Sequence, residues 1–174
     1  MTPAIPTQPA DTAKPASDSQ PQRDAEAAII ETLASQLVPD LAASKRILVG
    51  AATVQVDARS ADDRLLVEVY ARQGALKPGQ RNKVAKDILK LALLRQQPEF
   101  AESRAIIAFA SQEARDSITG WIADAANQFG IELLVVEIPE ELRAELLTAQ
   151  ARQAMTNIAS SALSSAPTKQ SNPT

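Results

Sequence analysis

Two stretches decide how this chain folds: Thr53-Val54-Gln55-Val56-Asp57-Ala58-Arg59 and Leu65-Leu66-Val67-Glu68-Val69-Tyr70-Ala71-Arg72. In both, apolar and polar residues alternate with the period of two that marks a half-buried strand. Val54, Val56 and Ala58 share one face of the first stretch, and Thr53, Gln55 and Asp57 share the other. In the second, Leu65, Val67, Val69 and Ala71 form the inner face, while Leu66, Glu68, Tyr70 and Arg72 form an outer, polar face. With Ala61-Asp62-Asp63-Arg64 as the turn, Ser60 faces Leu65 and an antiparallel ladder sets Asp57 opposite Glu68. Like charges opposed across strands repel, so this pair requires a nearby cation, a raised pKa on one member, or screening by water. A divalent metal is the functional answer. The structural one is that Arg59, Arg64 and Arg72 neutralise the pair on an ordinary solvated sheet face.

Beyond the second stretch, Gly74, Pro78 and Gly79 lead into a helix whose buried side is marked by Val84, Ile88 and Leu91, and which ends near Gln97 before the breaker Pro98. This segment is one-sidedly basic. Residues 72–95 hold seven basic side chains and one acid, whereas residues 112–147 hold eight acids and two arginines. A chain with net charge −3 can therefore still present a basic face to a polyanion. Gln80, Lys83, Asp87 and Lys90 recur at spacings of three and four, a polar strip along one side of the helix. The bland reading is a solvated outer face, and it weighs more for Lys86, Asp87 and Lys90 than for Gln80 and Lys83 near the helix start.

Upstream, Asp24 is placed to cap a helix reaching Leu37, with Ile30, Leu33 and Leu37 inward and Pro39 as its stop. Residues 46–49 then form a short strand, joined by Gly50-Ala51-Ala52 to the first quoted stretch, giving a three-stranded meander. Downstream, residues 105–110 and 131–138 read as buried strands, separated by a helix that Ser111 caps and Gly130 ends. Ile118, Ile122, Ala125 and Phe129 are its inward stripe, with Trp121 at the core edge. A last helix begins near Pro139, carries Glu140 and Glu141 in its first turn, and closes near Met155. The expected architecture is α/β, in the order α-β-β-β-α-β-α-β-α, with a mixed sheet covered by helices. Residues 24–155 form one domain. Residues 1–23 and 156–174, rich in Pro, Ser, Ala and Thr, read as disordered tails.

The 174 residues include no cysteine and no histidine. Disulfides, thiolate nucleophiles, Cys/His zinc sites and imidazole bases are thereby excluded, and chemistry is left to carboxylates, lysines, tyrosine, hydroxyls or a hard metal ion on oxygen ligands. No apolar run reaches membrane-spanning length and no signal peptide opens the chain, so the expectation is a soluble cytoplasmic protein with no membrane partner.

An acid late in the second strand, Val56-Asp57, and another within the third, Glu68-Val69-Tyr70, resemble the motif of the restriction-endonuclease-like PD-(D/E)xK nuclease superfamily, and the element order over residues 24–110 is similar to that fold. The resemblance implies that Asp57 and Glu68 hold Mg²⁺ or Mn²⁺. It also implies an added acid from the first helix, Glu31 ahead of Glu26. The tripeptide lysine, however, is Tyr70 here, and a phenol with a pKa of about 10 replaces an ammonium poorly. Lys83, or Lys77 in the preceding loop, is then expected to reach back toward the carboxylates, with Gln80 helping to place the phosphate. Tyr70, Arg72, Lys77, Arg81, Lys86 and Lys90 are expected to contact nucleic acid. The segment from Glu68 to Asp87 also looks like uncharacterised bacterial proteins, a likeness that implies no function.

Gly74-Ala75-Leu76-Lys77-Pro78-Gly79 has two glycines of a phosphate-binding loop, but Gln80 and Arg81 stand where its lysine and hydroxyl belong, which argues against nucleotide hydrolysis. Three expectations remain open. The first is a metal-dependent phosphodiesterase acting on DNA or RNA, with a homodimer able to address two strands. The second is an inactive nuclease-like module that binds nucleic acid or protein, and the third is an α/β domain without an anion site.

Overall fold

The computed structural model describes residues 20–164. The expected tails lie outside the described residues except for residues 20–23 and 156–164, and both of those pieces are helical. Helix α1 spans Gln20–Gln36, followed by the short strands β1 (Ala42–Ala43), β2 (Ile47–Val49), β3 (Ala52–Val54) and β4 (Ala58–Arg59). Strand β5 (Leu65–Tyr70), helix α2 (Pro78–Arg95) and strand β6 (Arg104–Phe109) come next. The chain continues through α3 (Gln112–Asp116), α4 (Trp121–Gln128), β7 (Ile131–Val135) and α5 (Glu140–Ser164).

Five strands make a mixed sheet in the order β1-β4-β5-β6-β7, in which β5, β6 and β7 are parallel and the β1–β4 and β4–β5 pairs are antiparallel. Strands β2 and β3 form a separate hairpin, so the expected meander is split between two sheets. The connections from β5 to β6 and from β6 to β7 run through α2 and α4, which cover one face together with Phe100 and Phe109. Helices α1 and α5 cover the other, where Ala25, Ile29, Leu33 and Leu146 meet Leu65, Val67, Val69 and Ile106. All six residues of β5 are therefore buried, and the face expected to be solvated lies beneath α2. The alternation is correct in period, but it does not mark an outside.

The break between β3 and β4 has a local cause at Asp57. Val56 joins the core under α2, while Ala58, two residues on, joins the core under α1, so the chain turns over at this residue. The Asp57 N–H donates to Val67 O at 3.0 Å, and Asp57 Oδ2 accepts from Val69 N–H at 2.8 Å. A carboxylate thus stands in for the ladder carbonyl and ends regular pairing.

The helix expected over residues 112–129 is two helices. Ser111 caps the first by accepting from Ala114 N–H, and Gly120 then takes a positive φ of 60°, a conformation that suits glycine and breaks the helical path. Arg95 Nη1 at the end of α2 donates to Phe129 O at 2.8 Å, tying the two helices of this face together.

Candidate active site

The β4–β5 register pairs Ala58 with Val67 and Arg59 with Leu66, and Ser60 N–H donates to Leu65 O, as the turn requires. Regular pairing stops there, and Asp57 instead brackets Glu68 by hydrogen bonds to Val67 O and from Val69 N–H, near enough for its charge to act on the Glu68 carboxyl. Turn placement in the sequence led to the same neighbourhood, whereas alternation, which set Val56 and Ala58 on one face, fails where these two residues enter opposite cores. Asp57 is exposed at the sheet margin, its carboxylate fixed by Val69 N–H. Glu68 is only 1% exposed, roofed by α2.

Helix α2 completes the cluster from above. Lys90 Nζ forms an ion pair with Glu68 Oε1 and lies 2.9 Å from Asp87 Oδ1. Tyr70 donates its hydroxyl to Asp87 Oδ2 at 2.5 Å. Lys83 Nζ stands 3.9 Å from that same oxygen and 4.7 Å from the centre of the Tyr70 ring. Tyr70 in turn stacks on Phe109, with ring centroids 5.5 Å apart. The Lys90 ammonium sits directly against the buried Glu68 Oε1.

Burial, then the carboxylates of Asp57 and Asp87, push the Glu68 carboxyl up to about 9. Burial alone would lower Lys90, but Glu68 and Asp87 outweigh it and hold the ammonium above its ordinary value. Burial and then the Asp87 carboxylate push the Tyr70 phenol well above its ordinary range. The charge balance explains the first of these shifts. Lys83 and Lys90 both serve Asp87, and Lys90 is shared with Glu68, so the one ammonium on Glu68 does not offset its burial and the two neighbouring carboxylates.

Several expected site residues stand elsewhere. Glu31 lies on α1, across the sheet from Glu68, and cannot share a metal with it. Gln80 is engaged at the start of α2, where its Oε1 accepts from Lys77 N–H at 2.9 Å, so it serves the helix and not a phosphate. Tyr70 is buried and committed to Asp87, which removes it from any surface contact. Lys90, expected to meet nucleic acid, is the lysine on Glu68, while Lys83 reaches Asp87. Arg59 and Arg64 pair with Asp63 and Asp62 in the turn and do not neutralise the acids of the site. Arg72 is half-buried, its Nε without a hydrogen-bond partner. Lys77, Arg81 and Lys86 form no ion pair among the described residues. Asp87 was the residue that sequence reasoning missed as a buried participant. Its signal was present in the spacing Lys83, Asp87, Lys90, which places two cations one helical turn either side of one acid.

Asp57 and Glu68 offer the oxygen donors that a hard divalent cation takes, but Glu68 Oε1 already carries the Lys90 ammonium. Among the described residues, no group of three or more carboxylates converges into a metal site. Comparison with known proteins adds no relative: no family model, curated protein or solved structure matches the chain. Among the described residues, no helix is long and apolar enough to cross a membrane.

Proposed function

We propose that this chain is a metal-dependent phosphodiesterase acting on nucleic acid through Asp57 and Glu68, with Lys90 of α2 supplying the ammonium group that the Glu68-Val69-Tyr70 tripeptide lacks. The observation that carries this reading is the contact of Lys90 with Glu68, the residue that the Asp57 hydrogen bonds to Val67 and Val69 bracket. Two carboxylates and a lysine then stand together at the seam of β4, β5 and α2. The topology supports it in outline: a helix, antiparallel strands, a helix and a parallel strand follow one another in a mixed α/β sheet, as the resemblance to the restriction-endonuclease-like fold leads one to expect.

Asp57 and Glu68 would hold Mg²⁺ or Mn²⁺. Such an ion, when bound, supplies an acidified water and neutralises charge on the phosphate. The chain's own contribution is positional. Val69 N–H fixes the Asp57 carboxylate. The Tyr70 hydroxyl and Lys83 hold Asp87, which in turn holds Lys90 over Glu68. Glu68 must lose its proton to serve as a ligand, so binding of the ion releases a proton and strengthens as pH rises toward about 9. Lys77, Arg81 and Lys86 add positive charge along α2, which favours a polyanionic substrate.

The burial of Glu68 favours a second reading, an inactive nuclease-like module whose acid–lysine cluster is balanced without any further ion. Cleavage assays on DNA and RNA with Mg²⁺ or Mn²⁺ separate the two. On the first reading the wild type cleaves, and both Glu68→Gln and Lys90→Gln lose cleavage while keeping their circular dichroism. A wild type that binds nucleic acid without cleaving it under any divalent ion establishes the second.

A further inference from the structure

The two edges of the main sheet are built differently. At one, β1 is two residues long and pairs only with β4. At the other, β7 is a full strand, Ile131–Val135, with no neighbour on its outer side among the described residues. Exposure marks this edge: every residue of β5 is buried, whereas Glu132, Leu133 and Leu134 are half-buried and Val135 is exposed. Edge strands are ordinarily blunted by brevity, proline, lysine or an inward charge, because their free N–H and C=O groups pair with other chains. The β7 sequence, Ile131-Glu132-Leu133-Leu134-Val135, has no proline or lysine. Its one charge, Glu132, is held by Arg104 of β6 through hydrogen bonds of 2.6 and 2.7 Å.

Pairing with β6 decides which backbone groups of β7 are free. Phe109 is the register partner of Val135, and its carbonyl accepts from Val136 N–H. Bonding groups alternate along a strand, so Glu132, Leu134 and Val136 turn toward β6, while Ile131, Leu133 and Val135 turn their N–H and C=O groups away from it. None of these outward groups makes a hydrogen bond among the described residues. A second β7 run antiparallel about a two-fold axis at Leu133 satisfies them all. Leu133 then faces the partner's Leu133 and Ile131 faces the partner's Val135, each pair exchanging both hydrogen bonds. Every side-chain pair on that row is apolar, and Glu132 falls opposite the partner's Leu134, so no like charges are opposed. An axis at Ile131 or Val135 would pair only that residue within β7. A parallel second copy would need a different free edge, and β1 offers only two residues.

We infer that β7 is a dimer edge, where antiparallel pairing about Leu133 joins the five-stranded sheets of two copies of this chain into one continuous sheet. The axis stands perpendicular to the sheet, so the α2 faces of both copies lie on the same side. Five strand spacings separate the two Glu68 positions, a distance of about 24 Å. The contact stands clear of Asp57, Glu68 and Lys90 and does not depend on the phosphodiesterase reading.

The mass of the full chain is measured by sedimentation equilibrium over a concentration series, and amide exchange is followed residue by residue by NMR. Expected is twice the mass of one chain at high concentration, with slow exchange at Leu133 and Val135 N–H that quickens on dilution. Val136 N–H, bonded to Phe109 O, should be slow throughout. Val135→Pro removes an outward N–H and no bond to β6, at a side chain 38% exposed, so the variant should keep the fold. Its dimer dissociation constant should rise about tenfold or more, since each copy loses a donor at the contact. A monomer at every concentration overturns the inference. So does a dimer whose Leu133 and Val135 amides exchange freely, or one that a folded Val135→Pro leaves unchanged, because either assigns the contact to another surface. Exchange in the wild type decides the matter where the variant fails to fold.

Discussion

The two faces of β5 are built from alternate residues of one strand, and they are governed by different physics. Under α1 and α5, Leu65, Val67 and Val69 meet only apolar neighbours. Under α2, Leu66 and Tyr70 flank Glu68, and two buried acids, Glu68 and Asp87, share the seam with the Tyr70 phenol and the partly buried Lys90. The first face removes apolar area from water at no electrostatic cost. The second confines charge where burial penalises it, and apolar residues of similar volume would serve stability at least as well. The difference sets the α2 face apart as the one on which the proposed function depends.

The largest effect expected is on the apolar face. Ile106→Ala, at a fully buried position, should cost about 2–5 kcal/mol in chemical denaturation and leave divalent-ion binding to the folded protein unchanged. An altered ion affinity at full folding would mean that the two faces are coupled and the contrast is false. On the other face, Tyr70→Phe removes the donor to a buried carboxylate and should cost about 1–3 kcal/mol, despite the retained ring.

Glu68→Gln should move stability in the opposite direction. The folded pKa of Glu68, about 9, lies above its ordinary value of 4.5, so the folded protein holds a proton that the unfolded chain gives up. The stability that Glu68 contributes is therefore full below about 4.5 and is lost as pH rises toward 9. Wild-type stability should decline across that window, and Glu68→Gln should flatten the decline and equal or exceed wild type at its alkaline end. A decline unchanged by the substitution would place the responsible proton elsewhere. Smallest of all, Lys86→Ala should leave the melting temperature within about 1 °C, since the side chain is exposed and without an ion pair among the described residues. It should still reduce the salt dependence of nucleic-acid binding by about one unit of slope.

The contrast between faces also explains what the sequence disclosed. The Ala61-Asp62-Asp63-Arg64 turn was sufficient to set the β4–β5 register and bring Asp57 beside Glu68, because register follows from turn position and does not depend on what covers the sheet, although regular pairing ends before Asp57. Which side was outside depended on α2 descending onto the polar residues, and alternation carries no information about that. Asp87 and Lys90 looked like a solvated helix face for the same reason: charges at spacings of three suit water and buried carboxylates equally well. The break at Asp57 arises from a side chain replacing a backbone carbonyl, which no pattern of apolar residues records. Gly120 was a signal passed over: a glycine inside an apolar stripe, read as part of one continuous helix, is where the helix divides.

The central claim, that the α2 face holds a cation-dependent site, is tested most directly by the thermal stability of wild type and Glu68→Gln with and without Mn²⁺ at pH 6 and pH 9. A ligand bound only by the folded state must raise the melting temperature. The account predicts a rise with Mn²⁺ in wild type that is larger at pH 9 than at pH 6 and absent from Glu68→Gln. A wild type unmoved by Mn²⁺ at both pH values, or a rise that survives the substitution, would contradict it.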